Sequence, residues 1–299
     1  MSGEREPEMR PHSNPNKVFA FLYGAAVYLS VWLILLYVVG FVGNHFGPLI
    51  GSEWGDVLPF RSIDQGPEIG FLAAFMINLG LIGMFGLQHS LMPRKVFKAF
   101  ITRLVPVHLE RSTYIVFAIF ALSLLMWLWR PIPTVVWHVE TEWLRWFIEA
   151  VQIGGWLLVL VATFQVGHWG IFGIAQVMDY IQDKPYTYDK PHALSQDYFK
   201  SGWPVAYRGV WSTSRHPDFL GFLIAFWAAP TMTVGHLMFA AGLTVYIIIG
   251  IFLLERNFKE LYGREYEIYA ATRNRLIPWF PQRLPDLGPD DPNQGKGSR

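Results

Sequence analysis

The feature that most constrains this chain is a series of long apolar runs carrying almost no charge. A run of roughly 18 residues is long enough to cross a bilayer as a helix. Four runs approach or exceed that length: Val18 to Val42, Gly70 to Met92, Thr113 to Trp129, and Trp146 to about Trp169. A fifth, Phe219 to Leu254, is too long for one crossing and is broken at Pro230 to Gly235. It reads as a tight helical hairpin of two spans. The stretch Gln176 to Arg208 is too polar to span. The pattern predicts an all-α integral membrane protein with about six transmembrane helices, the last two forming the hairpin. A short cytoplasmic interfacial helix follows, where Tyr262, Tyr266 and Tyr269 recur at helical spacing. Charged residues make up 16% of the chain, well below the roughly 25% usual in soluble domains.

The placement of charge orients the spans, because short cytoplasmic loops collect Lys and Arg. Arg94, Lys95, Lys98, Arg103 and Arg111 follow the second run; Lys184, Lys190, Lys200, Arg208 and Arg215 follow the fourth. Arg256, Lys259, Arg264, Arg273 and Arg275 follow the hairpin. The intervening loops are acidic or balanced. Both termini are therefore expected in the cytoplasm. The expected organisation is a disordered cytoplasmic tail over 1–17, a four-helix membrane region over 18–169, a cytoplasmic connection over 170–214, a cofactor-binding hairpin module over 215–281 and a disordered tail over 282–299. The opening residues lack the apolar core and cleavage site of a signal peptide. Tyr37, Trp129, Trp137, Trp143 and Trp169 near span ends fit an interfacial belt. A net charge of +1 gives no sign of nucleic-acid binding, and the absence of cysteine excludes disulfides, thiolate metal sites and a cysteine nucleophile.

Polar residues at membrane depth are costly and usually have a task. Arg215-His216-Pro217-Asp218 stands at the mouth of the hairpin, and Glu255-Arg256-Asn257 where it returns. A hairpin brings its ends together, so these clusters are expected to be neighbours. Pro217 suits a helix start, where its missing N–H costs nothing, and the free N–H groups there attract an anion such as a carboxylate. Gly221, one turn on, lets another group approach the backbone. Glu255 is an acceptor for an amine or hydroxyl, or a partner for Arg215. Such groups suit a zwitterionic nucleotide bearing a sulfonium, whose cation aromatic faces attract.

At these residues the chain resembles a known superfamily. RHPDFLG, an apolar hairpin, ERNFKELYGREYEIY and a closing PWFP at 278–281 are similar to the C-terminal module of the isoprenylcysteine carboxyl methyltransferases. Five further stretches resemble the nurim-like bacterial methanethiol S-methyltransferase branch: SIDQGP at 62–67, QHSLMPR at 88–94, ERSTY at 110–114, WRPIP at 129–133 and TMTVGH at 231–236. The resemblance implies methyl transfer from S-adenosylmethionine to a small thiol, methanethiol, in a bacterial cytoplasmic membrane. It implies cofactor-binding roles for His216, Pro217, Phe219, Gly221, Glu255, Arg256, Tyr266 and Tyr269, and places Gln88 and His168 near the substrate. Arg215, His216 and His89 are the candidate catalytic residues, the histidines as bases and Arg215 as a thiolate stabiliser. Three positions depart from the family pattern: Phe219 replaces a frequent Tyr, Leu254 replaces the first of two paired Glu residues, and Asn257 replaces Asp. An isoprenylcysteine-type carboxyl methyltransferase acting on a lipophilic acceptor and a non-catalytic nurim-like protein share the scaffold and remain alternatives.

Overall fold

The computed structural model describes residues 17–46, 60–184 and 209–278. Ten helices and two short strands order along the described residues as α1 Lys17–Val42, α2 Phe71–Leu91, α3 Lys95–Ile101, α4 Glu110–Leu128, β1 Val135–His138, α5 Glu142–Val166, α6 His168–Ile171, α7 Ile174–Ile181, α8 Pro217–Trp227, β2 Thr231–Thr233, α9 Val234–Tyr262 and α10 Arg264–Thr272. Five of these helices are long and apolar enough to cross a membrane: α1, α2, α4 with its preceding turn, α5 and α9. Their outward faces carry Leu29, Leu33, Leu72, Phe120, Trp146 and Ile249, all exposed. Large apolar side chains facing outward suit lipid rather than water. The chain is a multi-pass membrane protein. Most of the two expected tails, and residues 185–208 of the expected cytoplasmic connection, lie outside the described residues.

The fifth expected span, the first arm of the hairpin, differs in form. Helix α8 has 11 residues, a rise of about 17 Å at 1.5 Å per residue, against about 30 Å of hydrocarbon. Hydropathy alone missed its early end. Ala228 to Pro230 leave the helix, and the backbone continues extended into β2. Bare extended backbone is not tolerated in lipid, and here protein satisfies it. β2 pairs antiparallel with β1, Val139 N–H donates to the Pro230 carbonyl at 2.9 Å, and Val234 N–H to that of Thr134 at 2.8 Å. Thr233 caps α9 through its hydroxyl, which accepts from His236 N–H. His236 reaches back to the Phe226 carbonyl at 3.0 Å and ties the arms of the hairpin.

Three of the sequence stretches singled out above converge at this end. Trp129 donates its indole N–H to the Ile63 carbonyl at 3.1 Å, Thr233 donates to Asp64, and Asp64 accepts from Asn44 at 2.7 Å. Trp129 is buried among core side chains rather than in the expected interfacial belt, whereas Trp143 and Trp169 are exposed. The core below is built from Phe41, Leu125, Phe226, Phe239, Leu243 and Ile251.

Helices α5 and α8 cross at glycine. A Cβ on Gly221 would sit 2.7 Å from the Gly155 carbonyl oxygen, and one on Gly155 would sit 2.7 Å from that of Gly221. Small residues at a membrane helix crossing let the backbones touch. Gln152 secures the contact by donating to the Ala225 carbonyl at 3.1 Å. Gly221→Val should therefore push the helices apart and destabilise the protein by about 1–3 kcal/mol, as overpacking does. Thermal unfolding in detergent should show a lower Tm, and an unchanged Tm would refute the close crossing.

Candidate functional site

The site forms where three chain segments meet at the mouth of the hairpin. The first is the turn at Gly209–Ser212 with Ser214-Arg215-His216, the second is the late part of α9, and the third is the strand-like segment after α10. Trp211 anchors the first by donating its indole N–H to the Ala162 carbonyl on α5 at 3.0 Å. Tyr269 on α10 holds it from the other side, with its hydroxyl bonded to the carbonyls of Trp211 at 2.9 Å and Ser214 at 3.2 Å. Two backbone rungs then join the segments: Arg215 N–H donates to Asn274 O at 2.8 Å, and His216 N–H to Arg275 O at 3.0 Å. Pro217 opens α8 in its first turn, as its chemistry predicts.

Glu255 stands at the centre. Its Oε1 lies 3.1 Å from an Nη of Arg215 and 3.3 Å from Nε2 of His216; its Oε2 lies 3.0 Å from Nε of Arg275. The carboxylate is 7% exposed and the imidazole 2%. The expected meeting of Arg215-His216 with Glu255 is present, across 39 residues from His216. Glu255 serves as the charge partner rather than as an open acceptor, since both its oxygens are engaged. Two guanidinium groups contact this one carboxylate, and Asp218 places a second buried carboxyl two residues from His216. Among the described residues, Ser214 Oγ, Arg215 Nε and Asp218 Oδ1 are buried without a hydrogen-bond partner. Buried polar atoms are normally satisfied, so these three mark where a ligand can bond.

Sequence reasoning passed over Arg275, counting it only as a cytoplasmic charge. It sits just past α10, held by Glu255 and by the face of Phe252, whose centroid is 4.6 Å from its guanidinium carbon. The departures from the family pattern also find places here. Phe219 stacks on the His216 imidazole at 5.4 Å, and Leu254 packs with the apolar cluster of Trp211, Phe258, Tyr266 and Tyr269.

Several expected site residues lie elsewhere. Arg256 is exposed and pairs with Glu260 at 3.3 Å, one helical turn on, because the next position along α9 turns about 100° away from Glu255. Gly221 faces α5, so the group that approaches its backbone is Gly155. Tyr266 and Tyr269 stay at the site but are buried, each 1% exposed: Tyr269 supports the first segment, and Tyr266 sets its hydroxyl against Glu255. His89 bonds the Tyr114 hydroxyl at 3.2 Å and packs on Phe85 and Tyr246. Tyr246 precedes Glu255 by nine residues on α9, which places it about 13.5 Å along the axis and about 180° around it. His89 therefore belongs to another face of the helix. Gln88 donates to Met92 Sδ. His168 is enclosed by Tyr28, Trp32, Phe164, Trp169 and Phe172, stacked at 3.9 Å on Phe164. Its ring nitrogens meet Tyr28 at 3.0 Å and Thr163 at 3.3 Å. Through these contacts it clamps α6 to α1 and α5.

Fold and site together define a multi-pass membrane protein with a buried ion-paired cluster at the mouth of a late hairpin. The chain is 43% identical to methanethiol S-methyltransferase 1 of Bradyrhizobium diazoefficiens, over 88% of this chain and 83% of the relative. It is 37% identical to the methanethiol S-methyltransferase of Crocosphaera subtropica over 89% and 94%, and 38% identical to that of Mycobacterium tuberculosis over 88% and 97%. The chain belongs to the methanethiol S-methyltransferase family. A more distant relative is human nurim, 28% identical over 77% of this chain. No family model matches the chain, and no solved structure gives a significant match.

Two outcomes follow from the ion cluster. Glu255→Gln leaves two guanidinium groups without their counter-charge, and breaking a buried pair costs about 3–5 kcal/mol. A markedly lower Tm in detergent is expected, and wild-type melting would show that the pair carries no weight. Burial, reinforced by the Glu255 carboxylate, pushes the Tyr266 phenol up. Below the ordinary tyrosine pKa of about 10 both folded and unfolded chains keep the proton, so stability is intact there; above it the unfolded chain loses its proton first and stability falls. Tyr266→Phe should flatten the decline in unfolding midpoint between about pH 9 and 11, and an unaltered slope would contradict this.

Proposed function

We propose that this chain methylates methanethiol to dimethyl sulfide with S-adenosylmethionine as donor, at the inner face of a bacterial cytoplasmic membrane, with both termini cytoplasmic. The observation that carries the proposal is the Arg215–His216–Glu255 cluster, in a chain 37–43% identical to methanethiol S-methyltransferases. The alternation of basic and acidic loops supports the orientation.

The residues present fit the donor. Its amino-acid end is a zwitterion, and the cluster offers spare guanidinium donors beside an Asp218 oxygen and a Ser214 hydroxyl that are buried without a partner among the described residues. Arg215, Ser214 and Asp218 would hold that end, and the aromatic face of Phe219 would lie against a cationic centre. S-Adenosylmethionine supplies a methyl group already activated by its sulfonium.

The protein must then turn a thiol into a thiolate, since the thiolate is the nucleophile and an ordinary thiol is mostly protonated at neutral pH. His216 is the base in this proposal. Its Nε2–H donates to Glu255, which fixes the ring and leaves Nδ1 to accept a proton, the way a carboxylate orients a catalytic histidine. Arg215 adds positive charge where the thiolate forms. Phe219, Phe222 and Ile251, from the core that adjoins the cluster, keep water from a small apolar substrate that can enter through lipid.

Membranes from expressing cells, supplied with methanethiol and S-adenosylmethionine, should release dimethyl sulfide measurable by headspace gas chromatography. His216→Ala should slow release by about 100-fold or more, the usual share of a general base. No product above a vector control would remove the proposal. Binding of S-adenosylhomocysteine separates a cofactor-using enzyme from an inert scaffold.

A further inference from the structure

We propose that Arg275 and Arg215 form a carboxylate clamp, with Arg275 the specificity-determining residue that selects a methyl donor bearing an amino-acid carboxylate. The inference rests on the donor being S-adenosylmethionine, and it concerns a residue outside every motif in the sequence.

The geometry assigns this role through what Glu255 leaves free. A guanidinium carries five N–H donors in a fixed fork. Glu255 engages one nitrogen of each arginine, an Nη of Arg215 and the Nε of Arg275. The other Nη of Arg215 points to the Ala270 carbonyl at 3.4 Å, while its Nε is buried with no partner among the described residues. Arg275 uses Nε inward, and its side chain is 47% exposed, so its Nη edge opens away from Glu255. Two arginines thus flank one carboxylate with donors to spare, and those donors suit a second carboxylate.

The protein's own contacts position the clamp. Arg275 lies over the ring of Phe252 at 4.6 Å, and its own carbonyl accepts from His216 N–H at 3.0 Å. The rung from Arg215 N–H to Asn274 O, at 2.8 Å, keeps the two arginines in register. A planar fork held this way suits bidentate recognition of a carboxylate. Lysine keeps the charge but not the fork.

The test uses the full-length protein in detergent and calorimetric titration with two ligands: S-adenosylhomocysteine and its decarboxylated analogue, which keeps the amine. The wild type should prefer S-adenosylhomocysteine by about tenfold or more, since specificity is the difference of the two affinities. Arg275→Gln should bring the two within about threefold of each other by weakening S-adenosylhomocysteine alone. Arg275→Lys, which keeps the partner charge for Glu255, should fold and fall between. Equal weakening of both ligands in Arg275→Gln, or undiminished preference in both variants, would overturn the clamp. A wild type that binds neither ligand removes the donor assignment itself and the clamp with it, whereas a wild type that prefers S-adenosylhomocysteine while both variants do likewise sinks only the clamp.

Discussion

The interaction on which this structure depends is the engagement of Glu255 by Arg215, His216 and Arg275. A carboxylate placed near the end of a membrane helix carries a heavy desolvation penalty. It is tolerable only when partners reach it, and these come from segments 39 residues before and 20 residues after it in sequence. Each partner has its own support. Trp211 and Tyr269 hold the turn before Arg215, and two backbone rungs bind Arg215 and His216 to the segment carrying Arg275. The ion cluster and the fold at the hairpin mouth are therefore one construction: without the fold the charges would separate, and without the charges the returning segment would have little to bind.

The opposite end of the molecule solves a different problem. Helix α8 stops short of a full crossing, so extended backbone has to be satisfied by protein. The β1–β2 pairing does this, with Asp64, Asn44, Thr233 and His236 closing the remaining polar groups. A short helix is acceptable because its neighbour α5 lies against it through Gly155 and Gly221. The close crossing sets the position of the first turn of α8, and with it the placing of His216 and Pro217 at the pocket. The far-side seal and the near-side chemistry are linked through those 11 residues.

How much of this was legible in the sequence depends on the kind of signal. Long apolar runs outlined four crossings and the hairpin, because hydropathy is a property of single segments. The pairing of Arg215-His216 with Glu255 was also legible, since a hairpin must bring its ends together. The early end of α8 was not, because Ala228 and Ala229 continue the apolar run while the backbone has already left the helix. Arg275 was hidden for another reason: one of five basic residues after the hairpin (Arg256, Lys259, Arg264, Arg273 and Arg275) looks like an anchor, and only the backbone rungs to this segment show where it sits. His89 and His168 were drawn toward the site by residue type. Helical phase along α9 keeps His89 on another face, and an aromatic enclosure occupies His168.

The lost member of the paired glutamates is best understood through the same helical phase. Position 254 lies about 100° around α9 from Glu255, and Leu254 faces the cluster of Trp211, Tyr266 and Tyr269 rather than Arg215. A carboxylate there would meet aromatic rings and would have to be satisfied among them. Leucine instead adds apolar contact to the group that carries Tyr269, the residue whose hydroxyl holds the Trp211 and Ser214 carbonyls. The exchange leaves Glu255 as the sole carboxylate that the two arginines contact among the described residues. The ion cluster thus keeps one carboxylate between two guanidinium groups, and the aromatic support beside it holds no further charge to satisfy.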